Sequence, residues 1–475
     1  MKLMKTLLIF CLLAISCGAP AYGAPQGAIN PRTITFPPLK FQIPKSDRVT
    51  LKNGMVVYLL QDHDLPLVNV TAYINAGSIF DPAEKSGLAS ITASAMRSGG
   101  SKRTPPEKLD AELEFMASAI EAAAGMEYAS ISMTTLTSNL DRTLQLMTEL
   151  LLQPGFDQTR LEVLRKQAIE AVRRENDDPK AVADRELRRA IYPNSPLGRT
   201  PTVPDLQRIT REDVIAFKER YVIPANTILA ISGDFDKNEI LECLNRMLAQ
   251  WPQRTPSFPQ IAAPKESPMP EVLHVQKGVN QSVIRMGHLG IEKNNPDLYA
   301  LKVLDYILGG GFTSRLTQEI RSNQGLAYNV ESDFEVGRRF PGTFITETET
   351  KSGTTGRAIT LMHSIVEGMT KAEVTDRELN LAKDAIVNSF IFGFTKTEAV
   401  VNQQARLEFF SYPPNYLETY REKIAKVTKE DVLRVARKYL HPEAMKLVVV
   451  GDEKKFDQPL STFGSVQEIK LQNSQ

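Results

Sequence analysis

Apolar side chains recur at helical spacing along Leu140–Leu152 and Gln158–Glu175, so each stretch is expected to lay one apolar stripe against a core. The segment Leu298–Leu308 reads the same way, and the glycines that follow it at 309–311 read as a helix stop. Runs at 55–60, 68–74 and 129–134 have the composition of strands instead. The run Leu447, Val448, Val449, Val450, closed by Gly451 and Asp452, is expected to be a strand buried on both faces.

This pattern occurs twice. The segments Ile209 to Asp234 and Val427 to Asp452 align without a gap at a constant offset of 218 residues. Identical pairs include Thr210/Thr428, Asp213/Asp431, Tyr221/Tyr439, Pro224/Pro442 and Gly233/Gly451. In each copy a threonine followed by acidic residues opens a helix, proline lies just past its end, and an apolar strand leads to Gly-Asp. Between the copies, residues 251–270 carry Pro252, Pro256, Pro259, Pro264, Pro268 and Pro270, which remove backbone donors and mark a linker. The chain therefore divides into a domain at 45–250, the linker, and a related domain at 271–455. The expected fold class is α+β: a tandem duplication of a mixed α/β domain, each sheet with helices on one face. The opposite faces would be free to line a cavity, the two homologous halves forming a clamp.

Composition narrows the partners. Fifty-seven basic and 56 acidic residues leave a net charge of +1, which provides no field to steer the chain onto nucleic acid or anionic lipid. Residues 1–23 have the layout of a secretory signal: Lys2 and Lys5, an apolar stretch from Leu7 to Ile15, then small residues. That stretch is too short to span a bilayer. Cleavage after Gly23 is preferred, and the alternative is a lipoprotein box ending at Cys17. Either reading places the protein in the periplasm. Cys11 and Cys17 fall in this segment, so Cys243 stands alone in the body of the chain, without a disulfide partner and expected to be buried.

The ordered anchors Asn75-Ala76-Gly77-Ser78, Gly87-Leu88-Ala89, Pro196-Leu197-Gly198-Arg199-Thr200, Gly309 to Leu316 and Arg321 through Tyr328 resemble the pitrilysin, insulin-degrading-enzyme and mitochondrial-processing-peptidase family of inverted zincins. The likeness covers nearly all of 45–455. In catalytic members Gly-Leu-Ala is followed by His-x-x-Glu-His, where two histidines on one helix face bind zinc and the glutamate serves as general base. Here those five positions read Ser90, Ile91, Thr92, Ala93, Ser94. Neutral hydroxyls are poor zinc ligands and alanine accepts no proton, so the resemblance implies a non-catalytic subunit. Glu170 stands near the register of the distal zinc ligand but lies among arginines, as a surface helix residue would. His63, His274, His288, His363 and His441 are scattered singly, and no ligand role is assigned to them.

The resemblance also implies that Arg321 and Tyr328 are the arginine and tyrosine that hold the substrate carbonyl beside zinc. From the residue types alone they are a surface ion pair and a strand-start tyrosine. The expected function is a partner subunit of a heteromeric zinc peptidase. It pairs with a homologue carrying His-x-x-Glu-His, receives unfolded or extended peptide, and contributes Arg321 and Tyr328. Zinc is expected in the partner chain and none in this one. The competing readings are a structural or peptide-binding module of an envelope assembly, and an enzyme using Ser90 or Ser94, for which no base is visible nearby in sequence.

Overall fold

The computed structural model describes residues 41–265 and 271–471. The export signal at 1–23, Cys17 and the end of the linker lie outside the described residues. The account below concerns the unit that begins at Ile43.

The first half supplies strands β1 (Asp47–Thr50), β2 (Val56–Gln61), β3 (Leu67–Ile74), β4 (Ala119–Ala124), β5 (Ala129–Leu136) and β6 (Thr227–Gly233). They form one sheet in the order β1-β2-β6-β3-β5-β4, antiparallel except for the β2–β6 pair. Its helices are α1 (Leu88–Ser98), α2 (Pro106–Phe115), α3 (Leu140–Leu152), α4 (Gln158–Glu175), α5 (Pro179–Ile191), α6 (Val203–Arg208), α7 (Arg211–Tyr221) and α8 (Lys237–Met247).

The second half contributes β7 (Glu271–Gln276), β8 (Gln281–Leu289), β9 (Ile291–Glu292), β10 (Ala327–Phe334), β11 (Val336–Gly337), β12 (Thr343–Lys351), β13 (Lys446–Gly451) and β14 (Val466–Glu468). Six of these form a sheet in the order β10-β12-β8-β13-β7-β14, and β9 pairs with β11 apart from it. The helices are α9 (Leu298–Leu308), α10 (Thr355–Lys371), α11 (Asp376–Ser389), α12 (Thr397–Phe409), α13 (Tyr416–Ala425) and α14 (Lys429–Tyr439).

The duplication is visible in the elements themselves. Helices α4, α5 and α7 begin 218 residues before α11, α12 and α14. Helices α7 and α14 both start in a capping box, Thr210 with Asp213 and Thr428 with Asp431, because hydroxyl and carboxylate satisfy backbone donors reciprocally. One edge differs. In the first sheet β1 is an antiparallel neighbour of β2, whereas in the second the C-terminal β14 runs parallel to β7, beyond the limit of the sequence repeat.

The second face of each sheet receives one helix from the opposite half. Helix α5 lies on β13 and β8, and α12 lies on β6 and β2. This explains the apolar run of β13: Leu447 and Val449 enter the core of the second half, while Val448 and Val450 enter the core that continues into the first. On the first sheet the equivalent layer is Tyr73, Ala230, Val401 and Ala405. Polar pairs flank these contacts. Arg48 makes two bonds to Glu408 at 2.6 and 2.8 Å, Tyr73 donates to Asn402 at 3.0 Å, and Tyr192 donates to the Pro341 carbonyl at 2.8 Å. The linker is pinned at its start, where buried Trp251 donates to the Val222 carbonyl and Phe258 stacks on Tyr221. Cys243 is buried, as its isolation suggested.

Beneath α5, the Arg285 guanidinium on β8 is buried and meets Asp184 of α5 at 2.7 Å and Glu347 of β12 at 2.9 Å. Glu347 lies opposite Glu331 of β10. Burial pushes the Glu347 carboxyl up to about 7, with Arg285 pulling against it and the Glu331 carboxyl adding to the rise. Replacing Arg285 by alanine would strand these carboxylates and is expected to destabilise the fold by about 3 kcal/mol, read as a lower urea midpoint. A carboxyl whose pKa is higher in the folded state holds more protons there than in the unfolded chain, so its contribution to stability falls as pH rises from the ordinary glutamate range to about 7. Asp81 and Asp305, also pushed up to about 7 by burial, act in the same direction. These carboxyls should lower the urea midpoint between about pH 5 and pH 8, against an opposite contribution below about pH 6.5 from buried His288, whose pKa is held down to about 4, and Glu347→Gln should reduce the drop. An identical pH profile in that variant would show that Glu347 is not part of it.

Candidate functional site

Helix α1 starts at Gly87, whose φ of 100° suits glycine and where a Cβ would meet Leu206 at 2.8 Å. Two of its first free donors, the N–H groups of Gly87 and Ala89, are taken by the Asp81 carboxylate at 2.8 and 2.9 Å. Arg199 holds the same turn by donating to the Asp81 carbonyl at 3.0 Å. Burial raises the Asp81 carboxyl to about 7 against the pull of these donors. Gly87 and Arg199 thus set the entry of α1, and Asp81, which sequence reasoning missed, is what they set it around. No local pattern marks an aspartate six residues ahead of a helix as its cap.

Along α1, which packs on edge strand β4, Ser90 is exposed, Ala93 is buried and Ser94 is half-buried. The helix thus places at the three decisive positions a solvated hydroxyl, a methyl group turned into the core and a second hydroxyl. This donor set does not fit zinc. Helix α4 packs against α1, yet the Glu170 carboxylate is half-exposed and bound to Arg174 at 2.8 Å, a pair one helical turn apart. It is a surface residue. Next to Ala93 is a cavity of only about 10 Å³, lined by Thr92, Met96, Ile131 and Phe217 among others. Glu121 and Ala123 of β4, in the stretch that follows the sequence of the missing motif, are exposed along the sheet edge.

The second half is arranged differently. Helix α9 stops at Gly309, and the loop after it is fixed by Ser314, which donates to Thr317 at 2.9 Å, and by Arg315, held by Glu378 at 2.7 and 3.1 Å. The chain then makes a π-helical turn over Thr317–Asn323 that carries Arg321. Such wide turns are rare and concentrate at functional sites. Gly325, with φ of 62°, redirects the chain into edge strand β10, and the register of β10 on β12 is irregular between Ala327 and Val330. Tyr328 sits in that irregular stretch and is 85% exposed.

These two turns bring the predicted pair together. The Arg321 guanidinium carbon is 4.9 Å from the centroid of the Tyr328 ring and 5.7 Å from that of Phe312, so the cation lies against two exposed aromatic faces. Among the described residues Arg321 makes no ion pair, which sets aside the surface-ion-pair reading. Phe312, 80% exposed, is a member of the cluster that sequence reasoning passed over; its only signal was an aromatic residue in a loop otherwise built of small ones. Among the described residues no hydrogen bond or ring contact joins Arg321 or Tyr328 to α1. On one face of β10 and β12 stand Glu331 and Asp333, exposed, and Glu347 and Glu349, half-buried.

Two family profiles match this chain in tandem: Insulinase (Peptidase family M16) over residues 56–205 and Peptidase M16 inactive domain over residues 208–386. The chain belongs to peptidase family M16. Within the family it is similar to the non-peptidase homolog YmxG of Helicobacter pylori, at 24% identity over 400 residues, 83% of this chain and 91% of that one. It is also similar to an uncharacterized zinc protease of Mycobacterium leprae, at 23% identity over 403 residues, 83% and 89% of the two chains. In fold it matches a peptidase M16 inactive domain from Pseudomonas fluorescens with a TM-score of 0.80 and 23% identity, covering 88% of this chain and all of that one. The periplasmic protease PqqL from Escherichia coli matches with a TM-score of 0.71 and 16% identity, over 86% of this chain and 46% of its own. This M16 chain has the fold shared by these family members, and its α1 carries Ser90, Ala93 and Ser94 where the family's zinc motif would stand.

The packing around Ala93 leaves little room for a larger side chain. Restoring the M16 base by Ala93→Glu is expected to lower stability by about 2 kcal/mol or more, because the small cavity beside Ala93 cannot hold a carboxylate or its water. Thermal unfolding of that single variant checks this. A melting temperature equal to that of the parent would mean the site is still shaped for the base.

Proposed function

We propose that this chain is the non-catalytic partner in a two-chain M16 peptidase, and that Arg321 and Tyr328 act on substrate bound to the other chain. The observation that carries this reading is the exposed Phe312–Arg321–Tyr328 cluster at the start of edge strand β10, in a chain whose α1 offers no ligand set for zinc. His-x-x-Glu-His of the partner would hold the zinc, which when bound would supply the activated water.

The residues of this chain bind and orient. A peptide in extended form adds to a free sheet edge, where backbone hydrogen bonds hold it with little demand for sequence. The Arg321 guanidinium, free of any carboxylate among the described residues, can donate to the scissile carbonyl oxygen, and the Tyr328 hydroxyl can donate beside it. As negative charge gathers on that oxygen both bonds strengthen, which is how a fixed pair of donors lowers a barrier. Contact with Tyr328 and Phe312 holds the guanidinium in place without neutralising it.

The signal-like layout of residues 1–23 supports a periplasmic location, as a soluble protein or one anchored through Cys17. Among the described residues no helix is long and apolar enough to cross a membrane. The open edge of β10 also suits a peptide-binding module without proteolysis.

The chain alone is expected to cleave no unfolded protein, and addition of the zinc-bearing homologue to restore cleavage. In that complex Arg321→Ala should lower kcat by about 100-fold with little change in KM, the scale for loss of one oxyanion donor. Full turnover by the variant complex would exclude a role across the interface. A complex that forms and binds peptide without cleaving it would favour the binding module.

A further inference from the structure

The outer edge of the second sheet, opposite to β10, gathers three side chains that the sequence leaves far apart. His274 of β7 is 1% exposed, and its Nδ1 lies 2.6 Å from Oε1 of Glu468 and 3.9 Å from Oε2 of Glu453. One ligand atom from each residue falls within 4.8 Å of the other two. We propose that His274, Glu453 and Glu468 bind a first-row divalent cation, with zinc the preferred ion, which fastens the C-terminal strand β14 to the sheet.

The argument begins with the imidazole. Its Nε2 lies 3.2 Å from the Gly451 carbonyl oxygen, which only accepts, so Nε2 carries a proton. In the neutral ring Nδ1 is then a lone pair, and it faces two carboxylates that are acceptors as well. Three acceptors converging on one point need a cation between them: a proton shared with Glu468, or a metal ion. Histidine ligands of metals commonly donate their second N–H to a carbonyl or carboxylate in this way, which fixes the tautomer.

The carboxylates are also placed by the fold. Glu468 is the register partner of His274 across the parallel β14–β7 pair, and Ile469 N–H donates to the His274 carbonyl at 2.8 Å. Glu453 follows β13, and its other oxygen accepts from Leu460 N–H at 3.1 Å, which holds it toward the histidine. The ring of Phe456 packs edge-on against the imidazole and closes one side. The separation of 2.6 Å is that of a proton bridge; two ligand atoms on one tetrahedral zinc stand about 3.3 Å apart. The Glu468 side chain is 52% exposed and can open by that amount, and water can fill the fourth position. One imidazole and two carboxylates suit zinc, whereas calcium and magnesium prefer sites built of oxygen alone.

The site departs from the expectation that this chain carries no metal. It lies on the edge that distinguishes the two halves, where β14 replaces the hairpin strand β1, and it uses neither α1 nor Arg321. Its fate is therefore independent of the proposed role in proteolysis.

The test uses the full chain, purified and stripped of metal, titrated with zinc by calorimetry and against a coloured chelator. About one zinc per chain is expected, with a rise in melting temperature and slower hydrogen exchange at Ile469. Glu468→Gln, at a half-exposed position that keeps the fold, should weaken zinc binding at least about tenfold and abolish the rise; Glu453→Gln should act in the same way. Calcium at equal concentration should not compete. Absence of zinc uptake, uptake unaffected by both variants, or tighter binding of calcium would each overturn the proposal, leaving His274 and Glu468 as a proton-bridged pair.

Discussion

A β-sheet buried on both faces needs a layer on each side, and here each half lends the other the helix that completes it. Helix α5 leaves the first half to lie on β13 and β8, and α12 leaves the second to lie on β6 and β2. Neither half can bury its own central strand alone: Val448 and Val450 would face water without α5, as Tyr73 and Ala230 would without α12. The exchange makes the two copies one folding unit, although each has its own sheet and its own core. It also sets what remains open. The crossing helices cover the middle of each sheet and leave the strand pairs β4–β5 and β10–β12 at the margin, beside α1 and the Arg321–Tyr328 cluster.

Chemistry at the two margins has diverged by different routes. On α1 the architecture is intact: Asp81, Gly87 and Arg199 still set the helix entry, and the helix still packs on β4. Only the side chains that would bind metal and move a proton are replaced. On the other side the wide turn carrying Arg321 and the irregular start of β10 hold a cation and two aromatic rings in water, an arrangement that core packing does not require. Exposed aromatic surface beside a cation with no carboxylate partner is more useful to a bound chain than to the stability of this one. Relatives in the same family include both a non-peptidase homolog and uncharacterized zinc proteases, so the fold by itself does not decide activity.

Local signals were read well where one interaction dominated. Helices α3, α4 and α9 have the bounds their apolar spacing implies, and the capping threonines of α7 and α14 do what their sequence suggests, because caps and stripes are properties of neighbouring residues. The vacancy at Ser90, Ala93 and Ser94 was legible for the same reason: five consecutive positions contain the whole motif. Arg321 and Tyr328 were legible only as members of a familiar frame, since seven residues of separation along the chain do not state a contact. Asp81 and the partners of Arg285 gave no signal and Phe312 only a weak one, because each acquires its meaning from a residue on another element.

The amino-acid sequence by itself therefore determined the repeat, the class of the fold, the main helices and the absence of zinc ligands on α1. All of these rest on residues within a turn or a strand of one another, or on a self-similarity that needs no coordinates. Only the tertiary structure decided which helix covers which sheet, that Arg321 lies between Phe312 and Tyr328, and that His274 meets Glu453 and Glu468. Those contacts join residues on different elements, across the two halves for the helices and within the second half for the two side-chain clusters. Their energy comes from burial and electrostatics at distances that sequence separation does not encode, so they exist only once the elements that carry them have packed together.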